Sequence, residues 1–408
     1  MIAEGWQSLP LATIAKSKIV YGIVQAGPHD PTGVPYLKSS DIGGQIDCSS
    51  LQRTAPEIHQ RFGRSTVVPG DIVISLRGNI GDTSIVPDEL VEANLTQGTA
   101  RISVADDFDR DFIFFQLASA DVQRRIHSVT KGSTFVEITL DDLRKIEVPV
   151  PQCRRQQRYI ADLLIDWNRA IETVEALIAT ARAKKQALMQ QLLPQGTTPP
   201  KKRLPGFSGE WRETSLSELL SMKRAKGKIV STNEDGIGVP YIGSTSFLGE
   251  FSNYTTSKDA LLCVETDILV LWDGEYAGKV TTGLAGAVSS TVGRYRLAKA
   301  NADPVFVVTL MEKASERIRS IREGSGIPHM PGDFEHWFKF ALPPLDEQQA
   351  IAEVFKANRV IADELRSQLT ALRQEKAALM QQLLTGKRRV KLPESAPKPS
   401  GGENEVAL

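Results

Sequence analysis

The heptapeptide Ala187-Leu188-Met189-Gln190-Gln191-Leu192-Leu193 recurs letter for letter as Ala378-Leu379-Met380-Gln381-Gln382-Leu383-Leu384, an offset of 191 residues (378 − 187). At that offset Ile160-Ala161 falls on Ile351-Ala352, Gln157 on Gln348, Arg182 on Arg373 and Lys185 on Lys376. One offset without a gap means two helices of matched length, which is what a molecular spacer requires. The stretch ahead of each helix repeats as well, at an offset of 205 (211 − 6). There Trp6 pairs with Trp211 and Gly33-Val34-Pro35-Tyr36 with Gly238-Val239-Pro240-Tyr241. A chain built this way reads as variable domain, helix, variable domain, helix.

The helical segments carry a heptad seam. In the first, Ile160, Leu164, Trp167, Ile171, Val174, Ile178, Ala181, Lys185, Leu188 and Leu192 alternate spacings of four and three. In the second, Ile351, Phe355, Asn358, Ala362, Leu365, Leu369, Leu372, Lys376, Leu379 and Leu383 take the same places. That is the pattern of a coiled coil. Each segment has room for about 35–40 helical residues, on the order of 50–60 Å. A seam of that length needs a partner, and the other copy is the nearest one. Lys185 and Lys376 occupy equivalent seam positions, where a polar residue can fix register or simply snorkel outward.

Punctuation sets the boundaries. Pro149-Val150-Pro151 stands before the first helix and Leu342-Pro343-Pro344-Leu345-Asp346-Glu347 before the second, both start signals. The expected division is a first domain over 1–150, a helix over 151–194 and a linker over 195–210. A second domain over 211–342, a helix over 343–385 and a disordered Pro/Ser/Gly-rich tail over 386–408 follow. The basic clusters Lys201-Lys202-Arg203 and Lys387-Arg388-Arg389 are candidates for phosphate contact or plain solvated helix ends.

Each variable domain reads as mixed in structure, with more strand than helix. Ser65–Gly78 is a turn, a buried strand and a turn, and Glu265–Gly274 matches it. A strand follows near Gln97–Val104 or Val292–Leu297, then an amphipathic helix over Phe112–Val129 or Val305–Ile321, then a turn at Gly132-Ser133 or Gly324-Ser325. Between these shared strands the copies diverge. Lys38-Ser39-Ser40-Asp41 faces Gly243-Ser244-Thr245-Ser246, and Arg77–Asp82 faces Asp273–Lys279. A shared scaffold with unlike polar loops suits two related readers of two different ligands. Trp6, Trp211, Tyr36 and Tyr241 recur at matched positions, so they are expected to be scaffold.

Bulk properties narrow the setting. The three cysteines, Cys48, Cys153 and Cys263, are scattered and odd in number, which argues against a disulfide framework or a zinc site. No apolar run approaches a membrane span and the N-terminus lacks a signal pattern, so a cytoplasmic protein without membrane contact is expected. Formal net charge is zero. A nucleic-acid partner would therefore require basic groups sorted onto one face.

In this order and duplicated, these features resemble the specificity subunit of type I restriction-modification systems over nearly the whole chain. The carriers are Pro343–Ala352, the Leu-Met-Gln-Gln-Leu-Leu endings, Arg203–Trp211 opening the second half, and the Gly-Asp-Ile or Thr-Asp-Ile strand with its Gly-rich turn. One departure stands in the first copy, where Gln152-Cys153-Arg154-Arg155-Gln156-Gln157 replaces the family's Pro-Leu-x-Glu-Gln pattern and leaves that helix start open.

The resemblance implies an α+β chain with two strand-rich, mixed α/β target recognition domains separated by two long antiparallel coiled-coil helices in a pseudo-twofold internal repeat. Each domain would read one half of an asymmetric bipartite DNA target, and helix length would set the gap. Double-stranded DNA, methyltransferase subunits (expected to be two copies) and restriction subunits would be the partners. No cofactor is expected in this chain, with S-adenosylmethionine, ATP and Mg²⁺ on partner subunits.

The expected DNA-contacting residues are polar loop groups able to address base edges or phosphates. In the first domain they are Lys38, Ser39, Ser40, Arg77, Asn79, Lys131 and Thr134. In the second they are Ser244, Thr245, Ser246, Asp273, Tyr276, Lys279 and His329.

Catalysis is the rival class. Gly274–Val280 resembles a phosphate loop but is one residue short of the motif and has Val280 where the hydroxyl belongs. The five histidines form no HxxxH or HExxH pair. No methyltransferase motif or nuclease triad is evident, so the chain is expected to be non-catalytic. A coiled-coil adaptor with two protein-binding heads is the remaining alternative; it would show no salt-dependent DNA affinity.

Overall fold

A computed structural model of the chain describes residues 3–132, 136–298, 302–324 and 326–390. Among these, the residues up to Thr173 and from Leu369 onward form one compact unit, and Val174–Gln368 form another. Each unit holds one variable domain and part of each long helix.

The long helices run Arg154–Leu192 and Leu345–Leu383, 39 residues each. Both their first and last residues are related by the repeat offset of 191 (345 − 154 and 383 − 192). The departure at Gln152–Gln157 therefore leaves the helix start in place. Backbone bonds from Gln156 and Gln157 amides to the Cys153 carbonyl open the first helix. The seam is the buried or half-buried stripe of both helices along its whole length. Within the first unit Ile160, Ala161 and Leu164 share a core with Leu379, Met380 and Leu383. Within the second, Leu188 and Met189 share one with Ile351, Ala352 and Phe355. In each unit the early turns of one helix meet the late turns of the other, so the helices run antiparallel.

In the first domain, Trp6–Pro10 pairs antiparallel with Glu147–Pro151, so the chain leaves for the long helix beside its own beginning. A four-stranded sheet follows the order Val20–Tyr21, Thr99–Ile102, Ile72–Ser75, Thr83–Ile85, and a three-stranded one the order Arg53–Thr54, Val34–Leu37, Asn94–Leu95. The second domain repeats the plan. Arg212–Ser215 pairs with Lys339–Leu342, and one sheet runs Leu220–Lys226, Val292–Leu297, Ile268–Leu271, Val280–Thr281.

The central strand explains its own composition. Side chains alternate across a strand, and Ile72 and Ile74 enter the large core with the helices while Val73 enters a smaller core. In the second unit Ile268 and Val270 face the large core, and Leu269 and Leu271 the small one. A strand covered on both faces has to be apolar throughout.

The single amphipathic helix expected in each domain is in fact two. Arg110–Leu117 ends and Ala120–Ser128 begins anew, because Ser119 takes an extended conformation and its hydroxyl caps the Val122 amide at 3.3 Å. Pro304–Lys313 and Ser315–Ser320 break at the corresponding place. The scaffold reading of the tryptophans holds: Trp6 packs on Phe112 at 6.0 Å and Trp211 on Phe306 at 6.4 Å. Tyr36 donates to Gln52 Oε1 and Tyr241 to the Lys228 carbonyl. Thr134, the serines of the two Gly-Ser turns and 391–408 of the tail lie outside the described residues.

Candidate nucleic-acid interface

The same backbone junction is built once in each unit. At the end of the central strand, the Leu76 amide donates to the Gly98 carbonyl at 2.7 Å and the Leu76 carbonyl accepts from Ile138 at 3.1 Å. Trp272 does the same with Thr291 (2.7 Å) and Met330 (2.9 Å). Just outside, Glu137 exchanges both backbone hydrogen bonds with Lys131 and bridges Arg77. His329 does so with Glu323 and Asp273.

The side chains on these matched points are unlike. In the first unit Arg77 Nε donates to Glu137 Oε2, and Lys131 Nζ contacts Asp142 Oδ2 at 2.6 Å. The lysine, together with the Thr139 hydroxyl, holds the Asp142 carboxyl below the usual carboxylate range. In the second unit Asp273 Oδ2 accepts from Lys226 Nζ at 2.6 Å, and Glu323 Oε2 lies 3.4 Å from His329 Nε2. Arginine and lysine around a carboxylate have become two carboxylates around an imidazole.

The other expected residues divide by role. Lys38, half-buried, opens a short turn whose Asp41 accepts the Lys38 amide at 2.8 Å. The Ser39 hydroxyl donates to the Gly98 carbonyl at 3.0 Å, which fastens this loop to the junction. Ser40 and Asn79 are exposed, as are Ser244 and Thr245. Tyr276 (58 % exposed) and Lys279 project from the turn between two strands, with no side-chain hydrogen bond or ion pair among the described residues. Ser246 is a correction: it is 3 % exposed and its hydroxyl accepts the Gly243 amide at 3.3 Å, so it shapes the turn from inside.

Arg203 is a second correction. Expected in an exposed basic linker, it makes a bidentate pair with Glu347, whose side chain is fully buried in the first turn of the second long helix. Arg389 pairs with Glu4. Of the two basic clusters, each thus spends one cation internally.

The seam lysines also part company. Lys185 Nζ reaches Glu312 Oε2 at 2.6 Å, a domain residue of its own unit. Burial pushes the Lys376 amine below its ordinary value, partly offset by Glu172.

Sequence reasoning missed Tyr21, Gln97 and Glu137 in the first unit and Lys226, Ser290 and Glu323 in the second. Tyr21 and Lys226 pair with Ala100 and Gly293, two residues beyond Gly98 and Thr291. Gln97 and Ser290 each directly precede those anchors. Their separation by the repeat offset (226 − 21 = 205) was the available signal for Tyr21 and Lys226. The phosphate-loop likeness dissolves: Gly274–Val280 is a turn between two strands, with its Ala277, Gly278 and Lys279 amides bonded to backbone carbonyls. Among the described residues no helix is long and apolar enough to cross a membrane, and no His/Cys/Asp/Glu group could hold a metal ion.

Two copies of one scaffold, each presenting its own polar surface and joined through matched helices, define a tandem-domain protein. The profile of the type I restriction modification DNA specificity domain matches the chain twice, over residues 4–181 and 208–371. The chain belongs to this family. It is 26% identical over 416 residues to the MjaX type I restriction enzyme specificity subunit of Methanocaldococcus jannaschii, covering 96% of this chain and 95% of that one. It is 28% identical over 181 residues to the MjaVIII specificity subunit of the same organism, 43% of this chain and 42% of that subunit. With the EcoBI specificity subunit of Escherichia coli it shares 26% identity over 197 residues, 47% and 41% of the two chains. The chain thus spans less than half of MjaVIII and EcoBI and nearly all of MjaX. In fold it is similar to the crystal structure of the type I restriction-modification S subunit from M. genitalium. The TM-score is 0.64 at 16% identity, covering 93% of this chain and 96% of that one. A chain from a study of type I complex assembly and conformational transition matches with a TM-score of 0.55 at 17% identity, over 95% and 100%.

Proposed function

We propose that this chain is the non-catalytic DNA-reading subunit of a type I restriction-modification complex. Each domain reads one half of an asymmetric bipartite duplex target, and the two long helices set the gap between the halves. The outer faces of those helices dock methyltransferase subunits, two copies in this reading, with restriction subunits joining the full complex in the cytoplasm. S-adenosylmethionine, ATP and Mg²⁺ belong to those partners.

The observation that carries the reading is the double junction: one backbone frame, two unlike polar sets. A protein recognising one ligand twice would have kept its chemistry the same. Pseudo-symmetry in the frame with asymmetry in the side chains predicts a target with symmetric geometry and unlike half-sites. Grip on phosphate is shared with partner subunits, since the chain has no net positive field.

The test is single-molecule sequencing of DNA from cells expressing the chain with and without a type I methyltransferase subunit from the same genome. A modified motif of two unlike halves around a fixed gap, present only with both proteins, is expected. An assembled complex that modifies no such motif and shows no salt-dependent DNA affinity would favour the protein-binding adaptor instead.

A further inference from the structure

The junction carries more than the loop candidates. Five points on each unit have equivalent backbone places: Tyr21, Arg77, Gln97, Lys131 and Glu137 in one, Lys226, Asp273, Ser290, Glu323 and His329 in the other. Two polar devices beside the frame keep their chemistry between copies. Arg101 and Arg294 each donate to a loop carbonyl, Thr66 and Leu262 respectively. Asp71 and Asp267 accept the Val68 and Val264 amides, both at 3.0 Å. At the five points the chemistry is exchanged throughout: phenol for amine, guanidinium for carboxylate, carboxamide for hydroxyl, amine for carboxylate, carboxylate for imidazole.

Capacity for a ligand is present as well. A cavity of about 370 Å³ in the first unit is lined by Tyr21, Arg77, Gln97 and Glu137 among others. The Gln97 carboxamide is half-exposed with no side-chain partner among the described residues. Arg77 donates to Glu137 through Nε, and its Nη groups have no hydrogen bond among the described residues. Beside the second junction Ile327 is 71 % exposed, an apolar group placed to meet a base methyl or sugar.

Resting on the reading of the chain as a DNA specificity subunit, we infer that these five positions are the base-reading set of each domain, with Gln97 a principal reader in the first. Arginine Nη groups match guanine O6 and N7, and a carboxamide matches adenine N6 and N7. The first set therefore suits purine edges in the major groove. The second, with Asp273 and Glu323 as acceptors, suits edges that offer an amino group, cytosine N4 or adenine N6.

Two variants of the assembled methyltransferase complex test this, Gln97→Ala and Ser290→Gln, with wild type in parallel and modified motifs read by sequencing. Gln97→Ala is expected to lower discrimination at one base position of one half-site by about tenfold. The other half-site and the gap stay as they were. Ser290→Gln is expected to alter preference in the opposite half-site only, and it decides alone if the first variant does not assemble. Unchanged motifs in both variants, or a loss spread evenly over both half-sites, would overturn the assignment while leaving the specificity reading intact. A wild-type complex without a bipartite motif would instead remove the reading on which the assignment rests.

Discussion

Gln157 and Gln348, 191 positions apart, make the same two hydrogen bonds. Gln157 Oε1 accepts the Asp109 amide at 2.8 Å while its Nε2 donates to the Pro151 carbonyl at 2.8 Å. Gln348 Oε1 accepts the Asp303 amide at 2.9 Å and its Nε2 donates to Pro343 at 2.9 Å. Both glutamines are buried. Asp109 and Asp303 in turn cap the helices that carry Phe112 and Phe306. One carboxamide per unit thus locks the long helix, the strand leading into it and a domain helix to one another. Rigid attachment is what a length-setting helix needs.

Gln157→Leu should therefore leave a buried amide and a buried carbonyl unsatisfied and cost about 2–4 kcal/mol, at roughly 1–3 per orphaned group. Gln348→Leu should do the same to the second unit. Urea denaturation of each variant checks this; a change under about 0.5 kcal/mol, the range of ordinary surface substitutions, would mean the lock is not rigid.

The two seam lysines should respond in opposite ways. Lys185 has Glu312, whereas Ala118 stands nine residues after its cap where Glu312 stands nine after its own. Lys376→Met should stabilise the chain by about 0.5–1 kcal/mol once solvent screening is allowed for. Lys185→Met should lose up to about 0.5 kcal/mol, as befits a partly exposed pair. The sign with pH follows from burial, which lowers the folded-state pKa of Lys376 from 10.5. The unfolded chain then holds the extra proton, so wild-type stability rises as pH climbs through the folded value toward 10.5. Thermal melts across the alkaline range should show that rise shrinking in Lys376→Met.

Gly22 and Gly227, related by the 205 offset, admit no side chain. A Cβ on Gly22 would stand 1.8 Å from the Leu95 carbonyl oxygen, and one on Gly227 2.1 Å from that of Val288. Each clash is with backbone, which cannot swing aside. Gly22→Ala should cost at least about 3 kcal/mol, at the upper end of overpacking, with the loss seen as reduced yield and a lowered melting temperature. Wild-type stability in this variant would show that the two strands can separate freely.

Helix length should be convertible into base pairs. Seven residues inserted at matched points of both helices keep the heptad in phase and add about 10.5 Å. At about 3.4 Å per base pair, the unmodified gap of the recognised motif should lengthen by roughly three pairs while both half-sites stay the same. Motif sequencing gives the gap directly; a change of half-site with no change of gap would show that the helices do not act as the ruler.

The sequence alone determined whatever depends on local periodicity or on literal repetition. Two helices of matched length, expected over 151–194 and 343–385 and found over Arg154–Leu192 and Leu345–Leu383, were legible with their seam because 3.5-residue spacing dictates which face is buried. The central strands were legible because an unbroken apolar run between turns is covered on both faces. Trp6 and Trp211 were legible as scaffold because the copies share them. Tertiary structure alone decided whatever depends on which distant segments meet. Ser246 turned inward, Arg203 found a buried carboxylate 144 residues away, and Ser119 broke a helix whose apolar pattern ran on past it. Tyr21, Gln97 and Glu137 come from three separate segments, and no spacing along the chain brings a tyrosine, an amide and a carboxylate to one cavity. Only strand pairing does that, because hydrogen bonds between strands join residues by register in space, whatever their separation in sequence.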